Sequence, residues 1–195
     1  MASGPAKRDH INLDGAVVLL LDGSALGMSI LVQIVTGLGA KALHRCATVE
    51  EAKGVVDRHN LDMAIIDAMP PGGDGYEFVR WLRTSASAPN RYAPVLVTTG
   101  HTPAKDVFRG RDVGSNLMIR KPIIPSVLVE RIFWASWEGR RFVLSDTYTG
   151  PDRRFRNLLP PGGIGRRYDD VDSFDIAITD RPAPGKAASG SGAPP

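Results

Sequence analysis

Cysteine is all but missing: the 195 residues include one, Cys46, so no internal disulfide can staple the fold and no cysteine pair can hold a metal. Histidines number four, at His10, His44, His59 and His101, without metal-ligand spacing, so packing or solvent-facing roles are the default. No stretch approaches the roughly 18 consecutive apolar residues of a membrane span, and Met1 to Ala16 lacks the apolar core of a signal peptide, so a cytoplasmic protein without membrane insertion is expected. The formal net charge of +3 is too small for wholesale nucleic-acid binding. No Walker loop and no placeable Ser-His-Asp arrangement occurs, which leaves an ordinary enzyme the weakest expectation.

What is present is organised around Leu61 to Gly75. There the apolar run Met63 to Ile66 ends on a carboxylate, Asp67, followed by Pro70, Pro71, Gly72, Gly73, Asp74 and Gly75. This reads as a buried strand delivering one acid to a loop. In an open α/β sheet the crevice outside the carboxyl ends of the strands is where ligands bind; the alternative is an Asp that merely terminates a strand.

The flanking sequence alternates. Ala16 to Leu21 is a continuous apolar block ending on Asp22, as a strand covered on both faces requires. Ser24 is a candidate cap for a helix with Leu26, Ile30, Ile34 and Leu38 on one face. Lys41 to Cys46 predicts a second strand and Val49 to Asn60 a second helix, with Ala52, Val55 and Val56 to one side. After the central strand come a helix over Tyr76 to Thr84, a strand over Ala93 to Thr98, a short helix over Thr102 to Asp112 and a strand over Leu117 to Ile119. A helix over Pro125 to Trp137 closes the series, with Val127, Val129, Ile132, Phe133 and Trp137 to bury. Five β-α units in a row imply a doubly wound, five-stranded parallel sheet of the flavodoxin-like α/β class over residues 15–140, preceded by a flexible lead-in over 1–14.

The strand ends present Asp22, Asp67, Thr98-Thr99 and Lys121 at one edge. Two carboxylates, a hydroxyl and an ammonium suit a phosphoryl group with a hard cation: Asp22 and Asp67 can bind Mg²⁺ through oxygen, while Thr99 and Lys121 can hold phosphoryl oxygens. Asp67 with Pro71, Asp74 and Gly75, joined by Thr99 and the Lys121-Pro122 pair, resembles the receiver domain of two-component response regulators, the CheY-like fold. The resemblance implies that Asp67 accepts a phosphoryl group from a histidine kinase, that Thr99 is the switch hydroxyl and that Lys121 binds phosphate. Two positions depart from the pattern. Gly23 stands where a second acid normally contacts Mg²⁺, and Met118 stands at the aromatic switch position. Asp67 is therefore either a phospho-acceptor or a vestige of the fold.

Beyond Gly139 the composition changes. Arg140, Arg141, Arg153, Arg154, Arg156, Arg166 and Arg167 face only Asp146 and Asp152 across residues 140–167, and no Lys occurs there. Tyr168 to Asp180 then carries five aspartates and no base. An all-Arg set favours planar, bidentate recognition, and Tyr148, Phe155 and Tyr168 are interleaved with it. Gly150-Pro151 reads as a turn opening the run Arg153-Arg154-Phe155-Arg156. Guanine offers O6 and N7 to an Arg fork and its face to a ring. The segment resembles the arginine-rich extension of the Cle proteins, CheY-like regulators that bind cyclic di-GMP and act on the flagellar motor. The resemblance implies a nucleotide site of Tyr148, Arg153, Arg154, Arg156, Arg166 and Arg167 over an extension at 141–181, with a partner such as the motor switch protein. The other readings are a basic tail neutralised by its own aspartates, or one that touches nucleic acid through phosphates. Phe174, Ile176 and Ile178 alternate with polar or small residues and could add a strand to a sheet edge. Residues 182–195, all Pro, Gly, Ala and Ser apart from Lys186, are expected to be disordered.

Overall fold

A computed structural model of the chain describes residues 11–100, 104–137, 142–145 and 147–152. Strands β1 (Val17–Leu21), β2 (Ala42–Cys46), β3 (Met63–Asp67), β4 (Val95–Thr99) and β5 (Leu117–Arg120) alternate with helices α1 (Ala25–Gly37), α2 (Val49–Val56), α3 (Gly75–Thr84), α4 (Ala104–Asp112) and α5 (Pro125–Trp137). The five strands pair in parallel in the order β2-β1-β3-β4-β5. This is the expected doubly wound sheet, with its order reversing beside β1.

The strands are apolar on both faces because both faces are covered. Val18, Leu20, Ile65 and Leu96 meet α1 and α5 through Leu31, Val35, Leu128 and Ile132. Leu19, Leu21, Ile66 and Val97 meet α2 and α3 through Ala52, Val55, Phe78 and Leu82. Each of the Val, Leu, Ile and Phe side chains among them contributes about 1.5–3 kcal/mol by leaving water. Ser24 caps α1 as the sequence suggests, accepting from the Gly27 amide, and Asp74 caps α3, accepting from the amides of Tyr76 and Glu77.

Several expectations are corrected. The buried face of α1 centres on Leu31 and Val35; of the expected stripe, Ile34 and Leu38 pack at its margin, while Leu26 is 72% exposed. Ser29, Gln33 and Thr36 form the exposed stripe, opposite Leu31 and Val35, and the step of four from Leu26 runs along a flank of the buried face. Helix α2 stops at Val56 rather than Asn60, because the Asn90 side chain donates to the Val56 and His59 carbonyls and accepts from the Leu61 amide. Buried α5 positions centre on Leu128, Ile132 and Ala135. Strand β4 includes Thr99.

Gly150-Pro151 is not a turn. It lies in strand β7 (Tyr148–Pro151), which pairs antiparallel with β6 (Phe142–Ser145), so the region expected as an extension opens with a hairpin. Pro151 is tolerated at the hairpin's end, opposite Phe142, and Gly150 is selected by a close backbone approach to Gly114.

Candidate functional site

Each site residue sits where an apolar strand emerges from the core. Asp22 follows β1, Asp67 ends β3, Thr99 ends β4, and Lys121 follows β5, so parallel pairing brings all four to the carboxyl edge. Lys121 Nζ lies 2.9 Å from Asp22 Oδ2 and 3.1 Å from Asp67 Oδ1. The Asp22 side chain is wholly buried, while that of Asp67 retains 14% exposure and is the reachable carboxylate. Asp22 Oδ1 also accepts from the Ser24 amide at 2.8 Å. Helix α1 packs so closely that a Cβ on Gly27 would come within 2.5 Å of the Asp22 carboxylate. Burial works against the Lys121 ammonium, yet hydrogen bonds and attraction from Asp22 and Asp67 outweigh it and lift its pKa above the ordinary lysine value.

The loop after Asp67 is held from both ends. The Ala68 amide donates to the Thr98 carbonyl and the Gly75 amide to the Ala68 carbonyl. A Cβ on Gly75 would run into the Asp67 carbonyl, so glycine is required there. Thr99 is buried at the β4 end, in register with Arg120. Met118 is also buried, its sulfur against Gly110 of α4, so this position presents no aromatic ring to move.

The residues present do not fit the divalent cation that this pattern suggests. Gly23 supplies no carboxylate, and a Cβ there would collide with the Pro71 ring. Both remaining acids are bonded to Lys121, so an ammonium holds the position between them. Among the described residues no group of three His, Cys, Asp or Glu side chains could hold a metal.

Tyr148 is placed in the hairpin, its hydroxyl donating to the Pro151 carbonyl at 2.6 Å. The other residues expected to bind nucleotide, Arg153, Arg154, Arg156, Arg166 and Arg167, lie outside the described residues, as do the stretch 174–178 and the tail 182–195. His44 and His59 stack with ring centroids 4.2 Å apart. Cys46 is buried, which pushes its thiol up to about 11.

Sequence reasoning missed two charged clusters. Arg109 on α4 meets Asp74 at 2.6 Å and Glu77 at 3.3 Å and lies over the Tyr76 ring, tying α4 to the start of α3. Arg83, fully buried near the amino ends of the strands, donates to the carbonyls of Gly114, Arg91 and Ala93 and to Asn116 Oδ1. Burial lowers its pKa to about 10, which leaves it charged at neutral pH. No signal in the sequence marks Arg83, since arginine defaults to the surface.

The family model described as response regulator receiver domain matches residues 18–133. A probable histidine kinase 2 of Oryza sativa is 29% identical over 133 residues, 62% of this chain and 13% of its own. The phosphate regulon transcriptional regulatory protein PhoB of Klebsiella pneumoniae is 37% identical over 71 residues, 36% of this chain and 30% of its own. The chain thus spans less than a third of either relative's length. A response regulator of Chloroflexus aurantiacus superposes with a TM-score of 0.55 at 26% identity, over 60% of this chain and 93% of that one. The chemotaxis regulator CheY4 of Vibrio cholerae shares the fold, with a TM-score of 0.55 at 24% identity over 60% of this chain and 96% of its own.

Proposed function

Because the chain belongs to the response regulator receiver domain family, we propose that it is a two-component signalling receiver that captures cyclic di-GMP through its Arg-rich extension and passes the signal to a protein partner. The observation that carries this reading is the placement of the arginines. The run Arg153-Arg154-Phe155-Arg156 starts one residue after Asp152, which directly follows a strand packed on the domain. An Arg fork matches the guanine edge, ring and guanidinium planes match its face, and further guanidinium groups match the two phosphates. The reduced acid site supports the same direction, since Gly23 removes one carboxylate and Pro71 fills its space. The flagellar motor switch protein is the proposed partner. Equilibrium dialysis against cyclic di-GMP with GMP and cyclic di-AMP as competitors, repeated at two salt concentrations, tests the ligand class. Saturable uptake resistant to both competitors supports the reading. Uptake that collapses with salt and ignores the base would indicate phosphate contacts alone.

A second input is favoured by the position of Asp67, partly exposed and 3.1 Å from the Lys121 ammonium. An Asp67 oxygen would attack the phosphorus of a donor such as a kinase phosphohistidine, the bond to the leaving nitrogen would break, and Lys121 would stay with the phosphoryl oxygens. Mass spectrometry after incubation with acetyl phosphate reads it: one added phosphoryl group that Asp67→Asn abolishes supports the reading, and labelling that survives the substitution removes it.

A further inference from the structure

The carboxyl-edge site sets one ammonium against two carboxylates, and the two acids are held differently. Asp22 is engaged through both oxygens: Oδ1 accepts from the Ser24 amide at 2.8 Å, and Oδ2 accepts from Lys121 Nζ at 2.9 Å. Its side chain is wholly buried, and helix α1 closes over it at Gly27. Asp67 is engaged on one side. Lys121 Nζ at 3.1 Å and the Met69 amide at 3.5 Å both lie against its Oδ1, and among the described residues Oδ2 has no hydrogen-bond partner. With 14% of this side chain exposed, one oxygen is held while the other is left for an incoming group.

An ammonium has three N–H bonds, and the two carboxylates account for two of those on Lys121. The third is left for a phosphoryl oxygen arriving at Asp67. Where a further carboxylate and its ion would stand, Gly23 has no side chain and the Pro71 ring takes the space of a Cβ. The missing acid has two effects. It removes a ligand for a hard cation, and it leaves a single negative charge uncompensated beside Lys121, so an incoming phosphoryl dianion meets less repulsion.

We propose that the Lys121 ammonium takes the place of a divalent cation in phosphoryl transfer onto Asp67, so that the transfer proceeds without a metal. This rests on the phospho-acceptor reading above. With acetyl phosphate as donor, a lone pair on Asp67 Oδ2 forms the bond to phosphorus, the bond from phosphorus to the acetyl oxygen breaks, and acetate leaves with that electron pair. No proton moves. Lys121 gives its third N–H to a phosphoryl oxygen, and its bond to the buried Asp22 fixes where its nitrogen stands.

The test follows the rate at which acetyl phosphate labels the full chain, read by mass spectrometry, in EDTA and in Mg²⁺. Wild type is expected to label equally fast in both, at one site that Asp67→Asn removes. This comparison needs no variant to fold. Lys121→Met with Asp22→Asn takes away the ammonium together with the buried charge it would otherwise strand, and labelling of that variant in EDTA is expected to fall by about 100-fold. Gly23→Asp with Pro71→Ala is expected to label faster in Mg²⁺ than in EDTA. Wild-type labelling that needs Mg²⁺ overturns the inference and leaves the phospho-acceptor reading standing. Undiminished labelling of the Lys121→Met, Asp22→Asn variant overturns the role of the ammonium, and equal rates for Gly23→Asp with Pro71→Ala overturn the part assigned to Gly23 and Pro71. A wild type that labels in neither condition removes the phospho-acceptor reading, and the inference with it.

Discussion

Asp22 is wholly buried, and the ammonium that faces it comes from 99 residues further along the chain. Replacing Lys121 by Met would strand a buried carboxylate. A loss of about 2 kcal/mol is expected, below the range for fully buried pairs because Lys121 is 26% exposed. Urea denaturation of Lys121→Met, and of Lys121→Met with Asp22→Asn, checks it: the second substitution should restore part of the loss. Since the folded pKa of Lys121 is raised, its contribution is complete below the unfolded lysine value near about 10.4 and disappears as pH rises through the higher folded value. Gly23→Asp makes a complementary prediction. The Pro71 ring stands in the way of its Cβ, so the single variant should lose stability and gain no Mg²⁺ response in a calorimetric titration, whereas Gly23→Asp with Pro71→Ala should show one. At this scale the sequence was readable where chemistry follows an apolar run. Asp22, Asp67, Thr99 and Lys121 each stand at or just past a strand end and share one edge, as expected. The Pro71 obstruction was not readable, because it depends on the path of a loop.

Among the elements, strands were the most legible, since a parallel sheet covered on both faces demands uninterrupted apolar blocks. The phase of α1 was misread because the step of four from Leu26 runs along a flank of the buried face, whereas Ser29, Gln33 and Thr36 mark the exposed side, so the local apolar series pointed away from the packing. The hairpin was illegible for a related reason. Gly150-Pro151 carries turn chemistry, and only the approach of Gly114 makes it strand. The anchorage beneath it depends on Arg83, whose guanidinium serves three carbonyls and Asn116 while Asn116 also accepts from the Val95 amide at 2.6 Å. Arg83→Met is expected to cost about 3 kcal/mol, because it leaves several buried acceptors without donors. Thermal unfolding measures it, and Arg83→Lys, with three donors in place of a planar fork, should recover only part.

Across the whole molecule, the two edges of one sheet differ. The carboxyl edge holds Asp67 beside its ammonium, and the amino edge holds the β6–β7 hairpin, which two of the arginines precede in sequence and five follow. Net charge hides a second division, with seven arginines across residues 140–167 followed by five aspartates across 168–180. Receiver membership accounts for the sheet and the carboxyl edge, while the Arg-rich segment is what an ordinary receiver does not need. The most direct measurement of the central claim is isothermal titration with cyclic di-GMP at fixed salt on the intact chain and on Arg153→Ala with Arg154→Ala. Saturable binding abolished by the double substitution is the predicted result. No binding by the intact chain, or binding that the double variant retains, would contradict it.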